Sequence, residues 1–261
     1  MLKQLFPNRN FIYGILGLSS FFIFWQIIGH FQLAGLSLPS LTDVLKFLFD
    51  PERHALFFRA IGATFRSAVM GFLAGALVGI FLASSVQMLP ILKNGSDRFA
   101  AVINSVPSIA LGPIFLILID REATPAGVAS IHVFFIVYVS MSSGLSSASR
   151  EHEDLFTIFG ASRIKQFWSL NLPYSAPAIV SGLRLSWPAA LIGAIIGEWF
   201  GAPRGLGILI INAMQNFQIN LLWSAVLLAA MMSLFFFGLM TFLQQTLFLV
   251  LVGFQLIYFR F

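Results

Sequence analysis

Long uninterrupted runs of apolar residues recur along almost the whole chain, and they restrict its fold more than any other feature. Runs such as Phe11–Phe31 and Ser67–Met88 can cross a hydrocarbon core about 30 Å thick as helices of about 20 residues. Only helices and closed barrels span a bilayer, because unpaired backbone amides are costly in lipid. The runs lack the alternation of barrel strands. The sequence therefore predicts an all-α polytopic membrane protein.

Composition and charge narrow the function classes further. Of the 261 residues, 58% are hydrophobic and 10% are charged, against about 25% charged residues in soluble domains. The net charge of +5 is small, which disfavours nucleic acid as a partner. The chain has no Cys and its four His are scattered, so we expect no metal site and no thiol catalysis. The spans hold no constellation of catalytic side chains, which argues against a membrane-embedded enzyme.

About six spans are predicted, and the Lys and Arg residues of the loops orient them. With the N-terminus inside, nine of these residues are cytoplasmic and six lie outside. We therefore expect a multi-pass protein of a bacterial inner membrane with both termini in the cytoplasm. The fifth span is short and can extend backwards through Leu185. The predicted spans are Phe11–Phe31, Ser67–Met88, Phe99–Ile119, Gly127–Leu145, Pro188–Phe200 and Trp223–Val252.

The chain is predicted to divide after residue 66. Residues 1–66 would hold the first span and an outer segment, where Leu41–Phe49 has the pattern of a short interfacial helix. The candidate caps of this helix are Ser40, Thr42 and Asp43. Residues 67–261 would form the core domain, including a cytoplasmic loop at 147–182.

Three glycines, Gly71, Gly75 and Gly79, lie on one face of the second predicted span. Small residues at this spacing let another helix approach the backbone closely, so we interpret them as helix-packing residues. A moving contact between two helices is the alternative.

The loop at 147–182 is the long polar stretch of the predicted inner side. Glu151–Phe159 has the pattern of a short helix with acidic residues in its first turn, where the helix dipole favours them. Gly160 can take the left-handed conformation that ends this helix, and Ser162 can cap a second one. This would be a helix, turn, helix hook; a solvated loop with basic anchors at the lipid surface is the alternative. The chain is then predicted to stop or turn at Leu172, Pro173 and Pro177.

The spacing of Gly160, Leu170, Leu172 and Pro173 resembles the EAA loop of bacterial ABC-importer permeases. The resemblance runs in order from about Leu38 to about Ile211 and is strongest to the nitrate, sulfonate and taurine permease group. It implies the type I ABC importer permease fold, in which this loop forms coupling helices that bind an ATPase subunit. The similar segments are LPSLTDVLKFL, GFLAGALVG, NSVPSIALGPIF, GASRIKQFWSLNLPYSAPAIVSGLRLS and GEWFGAPRGLGILI.

The resemblance implies a non-catalytic transport subunit. No Gly-x-x-x-x-Gly-Lys-Ser/Thr sequence is present, so this chain would bind no cofactor, and ATP and Mg would bind to the partner ATPase. The other implied partners are a second permease subunit, identical or not, a periplasmic substrate-binding protein and the lipid bilayer. The implied ATPase-coupling residues are Glu153, Asp154, Phe156, Gly160, Ala161, Ser162, Leu170, Leu172 and Pro173.

One departure from the family pattern changes the expected docking surface. Asp154, Leu155 and Phe156 stand where the motif usually has Glu-Ala-Ala. A carboxylate is kept, but two small residues are replaced by bulky ones. This predicts either a dedicated ATPase partner or a different way of filling the same groove.

The implied cargo is a small anion such as nitrate, a sulfonate, taurine or bicarbonate, with a thiamine-precursor-like or other small organic solute as the alternative. The rival class is an ATP-independent secondary transporter, but the inverted repeats and intramembrane charge pairs typical of that class are not seen. Polar residues in or beside the spans are candidates for the pathway or its gate, with helix-packing hydrogen bonds as the alternative. They are Asn104, Ser105, Ser108, Ser140, Ser143 and Glu198.

Overall fold

The computed structural model describes the backbone of residues 9–258 and the side chains of residues 12–246. Lys3 and Arg260, two of the charges used to orient the chain, lie outside this part. The regular structure of residues 9–258 is helical, so the all-α fold class is confirmed. The helices are α1 (Arg9–His30), α2 (Leu41–Leu48), α3 (His54–Met88), α4 (Lys93–Ser105), α5 (Ser108–Leu118), α6 (Thr124–Leu145), α7 (Arg150–Ile158), α8 (Arg163–Gln166), α9 (Leu172–Glu198), α10 (Leu206–Gln215) and α11 (Ile219–Tyr258).

Five helices in the described part of the chain are long and apolar enough to cross a membrane. Their count rises to six if the bent pair α4 and α5 forms one crossing. This agrees with the predicted number of spans, although two of the predicted spans differ from the structure.

The third predicted span, Phe99–Ile119, is wrong as a single helix. α4 ends at Ser105, α5 begins at Ser108, and the two helices meet at a bend of 99°. Pro107 explains the break, because the residue before a proline is driven out of the helical region. Val106 accordingly has an extended backbone, with ψ of 124°.

The fifth predicted span, Pro188–Phe200, is too short, and the stop predicted at Leu172, Pro173 and Pro177 is wrong. α9 is one helix of 27 residues that begins at Leu172. Pro173 lies in its first turn, where a missing N–H has no intrahelical partner to lose. Pro177 and Pro188 lie inside the helix, and packing against α6 offsets the hydrogen bonds that they remove.

The chain forms two compact units. The first contains the chain through Phe58 together with Leu209–Leu227. The second contains Arg59–Ile208 together with the chain from Leu228 onward. The predicted division after residue 66 stays a prediction.

In the first unit, α2 begins where the sequence predicted and packs beside α1. Ser40 caps α2 by accepting a hydrogen bond from Asp43 N. Trp25 of α1 donates its indole N–H to Pro39 O at 3.0 Å, just before this cap. The Trp223 ring at the start of α11 lies 5.2 Å from the Trp25 ring. The chain just before α2 is thus held to α1 by a hydrogen bond, and α1 is held to α11 by an aromatic contact.

In the second unit, glycines bring two helices against the backbone of α6. A Cβ added to Gly79 of α3 would lie 3.0 Å from Phe134 O. A Cβ added to Gly197 of α9 would lie 2.6 Å from Pro125 Cα. At these positions there is space for the hydrogen atom of a glycine but not for a side chain. The glycines in contact with α6 are Gly71, Gly75 and Gly79 on α3 and Gly182, Gly193 and Gly197 on α9.

Gly75→Leu is expected to destabilise the second unit, since a Cβ at this position would lie 2.8 Å from Val133 Cβ and 2.9 Å from Phe134 N. Overpacking of this kind costs about 1–3 kcal/mol, so we expect a lower midpoint of thermal unfolding in detergent. Gly62→Leu on the same helix is the control, because nothing lies within 4 Å of a Cβ there. An unchanged midpoint for Gly75→Leu would contradict the packing interpretation.

Candidate functional site

The hook, defined as Ser149–Gln166, has the local structure that the sequence predicts. It contains α7 and α8. Gly160 follows α7 with φ of +66°, and its N–H bonds back to Thr157 O at 3.0 Å. Ser162 Oγ accepts a hydrogen bond from Lys165 N at 3.3 Å and so caps α8. A left-handed glycine and a serine cap together set the angle between the two helices.

A π-helical turn at Phe167–Asn171 joins the hook to α9. Phe167 and Leu170 are each 4% exposed. Phe167 belongs to a buried cluster that includes Ala83 of α3 and Met141 of α6. The base of the hook is therefore fixed in the core of the second unit.

Asn171, which is 2% exposed, links three elements. Its amide nitrogen donates to Leu145 O at the end of α6, at 3.2 Å. The same nitrogen lies 3.5 Å from Glu153 Oε1 on α7. The last carbonyls of a helix have no intrahelical partner, so Asn171 satisfies a group that would otherwise be buried and unpaired. Sequence reasoning missed this residue. The available signal was a polar amide side chain between two apolar residues, Leu170 and Leu172.

The structure separates the nine predicted coupling residues by burial. The buried and half-buried ones face the core and hold the hook in place, while the exposed ones are free to contact another molecule. Their coupling role stays a prediction. Leu170 is buried, Glu153, Phe156, Ala161 and Leu172 are half-buried, and Asp154, Gly160, Ser162 and Pro173 are exposed.

Five large apolar side chains of the hook and the turn after it point outward, with exposed fractions between 48% and 83%. We call them the apolar patch. Five exposed charged residues lie among these side chains along the hook sequence, and within the described residues none of them forms an ion pair. Sequence reasoning missed the patch, although three of its members recur at helical spacing. The apolar patch consists of Leu155, Ile158, Phe159, Ile164 and Trp168, and the charges are Arg150, Glu151, Asp154, Arg163 and Lys165.

The break between α4 and α5 carries three of the pathway candidates. Asn104 is exposed there. Ser105 donates its hydroxyl back to Val102 O at 2.7 Å, within its own helix. Ser108 Oγ lies 2.6 Å from His132 Nε2 on α6. The serine donates this bond, because His132 Nδ1 lies 3.0 Å from a backbone carbonyl and carries the ring proton.

The two serine candidates of α6 lie in other surroundings. Ser140 packs against Gly182 of α9, which fits a helix contact. Ser143 lines an open pocket of about 440 Å³ together with Lys93 and Asp97 of α4. The structure therefore does not bring the pathway candidates together in one site.

Glu198 is completely buried and lies at the start of another helix. Its Oε2 accepts a hydrogen bond from Gly207 N at 2.7 Å, while Leu206 N donates to Thr64 Oγ1 at 2.8 Å. The first N–H groups of α10 are thus satisfied by side chains of α9 and α3, and a carboxylate is favoured at this end of a helix. The geometry supports a structural role, and the gating role stays a prediction.

Asn171→Ala is expected to loosen the hook without unfolding the core. Leaving the buried Leu145 O without a partner costs about 1–3 kcal/mol, so amide hydrogen exchange in α7 should become about fivefold faster or more. Asn94→Ala on the exposed surface of α4 is the control. Equal exchange rates in the two variants would show that Asn171 does not hold the hook.

Comparison with known proteins agrees with the fold. The family model described as "Binding-protein-dependent transport system inner membrane component" matches residues 75–248. The formylaminopyrimidine transport permease protein of Halalkalibacterium halodurans is 29% identical over 197 residues, which are 75% of this chain and 78% of that protein. The putative aliphatic sulfonates transport permease protein of Bacillus subtilis is 23% identical over 208 residues, 79% of this chain and 75% of that one.

A crystal structure of an amino acid ABC transporter with histidines shares the fold. It matches with a TM-score of 0.62 at 14% identity, over 75% of this chain and 95% of that chain. Taken with the family match, this settles the class of protein. The chain belongs to the inner membrane components of binding-protein-dependent transport systems, the permeases of type I ABC importers.

Proposed function

We propose that the hook is the docking site for a separate ATPase subunit on the cytoplasmic side of the membrane. The observation that carries this proposal is the apolar patch on a hook whose other face is anchored. Contiguous apolar surface rimmed by polar groups is typical of protein or membrane contacts. Five charged residues among the patch side chains make insertion into hydrocarbon costly, which favours a protein partner.

Hydrolysis of ATP by this partner would drive the transport cycle. The anchoring of the hook by Phe167 and Asn171 supports a mechanical role, because a rigid attachment passes a movement of the hook to α6 and α9 instead of absorbing it. ATP and Mg belong to the partner subunit in this mechanism. A secondary transporter would have no use for an anchored hook with an apolar outer face.

The pathway would form between this chain and a second permease subunit. The exposed apolar side chains of α5 support this, since a second subunit could pack against them. A copy of this chain is the simplest second subunit, and a non-identical permease is the alternative. A periplasmic binding protein would deliver the solute to the outer face.

The solute is proposed to be small and polar. The candidates at the break between α4 and α5 are amide and hydroxyl groups, which can bind either an anion or a neutral solute. A small anion, with an aliphatic sulfonate as the first to test, follows from the resemblance to sulfonate permeases. The similarity to a formylaminopyrimidine permease supports a small organic solute as the second candidate.

Uptake of labelled ethanesulfonate and of a labelled formylaminopyrimidine by cells with and without the gene would decide between these two solutes.

Phe159→Asp should disrupt the ATPase contact. Phe159 is the most exposed side chain of the apolar patch, at 83%, and loss of a large apolar contact that carries binding energy at an interface costs about 2 kcal/mol or more. The amount of ATPase that co-purifies with the permease is expected to fall by about tenfold or more. Leu36→Asp is the matched control, because Leu36 is 79% exposed and lies in the predicted outer segment. Unchanged co-purification with Phe159→Asp would exclude the apolar patch as the docking site.

The orientation can be tested by cysteine labelling, since the chain has no Cys of its own. In cells that lack the ATPase subunit, Phe159→Cys is expected to react with an impermeant maleimide only after the inner membrane is opened. Leu36→Cys should react in cells whose outer membrane alone is permeable. The reverse pattern would place the hook outside and would refute both the orientation and the ATPase proposal.

A further inference from the structure

α9 is one continuous element between the hook and the opposite end of the second unit. It has 27 residues and is therefore about 40 Å long. Its glycines lie against α6, so the two helices are close-packed along their length. Close packing of this kind favours transmission of a displacement from one end of the helix to the other.

The far end of α9 continues into a short loop, Trp199–Gly205, that is held tightly at both ends. Glu198 fixes the start of α10 through its bond to Gly207 N. A Cβ at Gly207 would lie 2.9 Å from both Cβ and Oε2 of Glu198. Gly201 and Gly205 have φ of +104° and +144°, which a residue with a side chain adopts only with strain. The loop therefore has little freedom to move independently of α9.

This loop reaches across to α5. The Phe200 ring lies against Gly112, and a Cβ at Gly112 would lie 2.6 Å from Phe200 Cγ. Next to this contact, Arg121 Nε donates to Gly201 O at 3.0 Å. Phe200 is thus the large side chain that joins the loop of α9 to the second half of the broken span.

α5 also lies against α6 and against α9 itself. Ser108 binds His132, and Phe115 packs at Gly127, both on α6. In this helix only Leu111 and Gly112 are buried. Within its own chain, α5 is therefore positioned by its contacts to α6, to α9 and to the loop after α9. The exposed apolar side chains of α5 are Ile109, Ile114, Leu116, Ile117 and Leu118.

We propose that Phe200 is a positioning residue that ties α5 to α9, so that a movement of the hook is carried along α9 and displaces α5 at the broken span. Gly112 is required because only a hydrogen atom leaves room for the Phe200 ring. This inference rests on the proposed function of the hook. It assigns the transmitting contact to the loop after α9, about 40 Å from the hook.

The test uses the full complex of the permease with its co-purified ATPase, and a cysteine at Ile109 as the probe of α5. Labelling of Ile109→Cys by a maleimide is compared without nucleotide and with ATP plus vanadate. In the otherwise unchanged chain we expect the rate to change by about fivefold or more. With Phe200→Ala the change should disappear, while ATP turnover in the same sample stays within about twofold of the unchanged complex. Phe200→Leu, which keeps an apolar side chain, should restore most of the change.

Gly112→Val perturbs the same contact from the α5 side. A second variant keeps the test valid if Phe200→Ala alone fails to fold. It should also abolish the ATP-dependent change and keep ATP turnover. Phe81→Ala, at a side chain that is 74% exposed on α3, is the matched control and should behave like the unchanged chain.

Three outcomes would overturn the inference. One is an ATP-dependent change that survives in Phe200→Ala, and another is a parallel loss of labelling change and ATP turnover in both contact variants. The third is no ATP-dependent change in the unchanged chain although the ATPase co-purifies, which leaves the proposed function standing. Absence of any co-purified ATPase would overturn the proposed function itself, and the inference with it.

Discussion

The rest of the second unit depends on the close approach of α3 and α9 to the backbone of α6. In a bilayer, helices gain nothing from burying apolar side chains away from lipid tails, so their association rests on van der Waals packing and hydrogen bonds. Glycines on both neighbours allow this packing at backbone distance. The last turn of α6 is also bound by a side chain, since Asn171 donates a hydrogen bond to Leu145 O. The hook and α5 are therefore both attached to α6, the hook through Asn171 and α5 through Ser108 and Phe115.

The inner and outer sides of the hook region make different contacts. The turn that follows the hook places Phe167, Leu170 and Asn171 in the interior of the second unit, and the outer face of the hook presents apolar side chains that are exposed among the described residues. The residues that the family resemblance singles out therefore differ in the role that the structure supports. Leu170 and Leu172 support the hook from inside, whereas Phe159 and Ile164, which stand outside the recognised pattern, are the side chains available for a partner.

Local chemistry made much of this structure predictable. Apolar run length predicted the membrane helices, Ser40 and Ser162 marked helix starts, and Gly160 marked the end of α7. These signals act within one turn of the chain. One error was local, because Pro107 breaks an apolar run by driving Val106 out of the helical region. The other came from distant residues, since Pro173 and Pro177 read as stops although packing against α6 carries α9 through them. Asn171 and Glu198 could not be assigned from sequence, because their partners, Leu145, Glu153 and Gly207, are known only once the helices are packed.

The π-helical turn at Phe167–Asn171 sets the direction in which the hook points. Successive residues of an α-helix are rotated by about 100°, and a π turn adds one residue to a single turn. Removing one residue there would restore a regular helix and swing the hook by about 100° around the axis of α9. The apolar patch would then face a different side of the protein with every side chain in it unchanged. The direction of the hook thus depends on the number of residues in this turn. Deleting one residue from the turn would redirect the hook more than any single substitution in the turn.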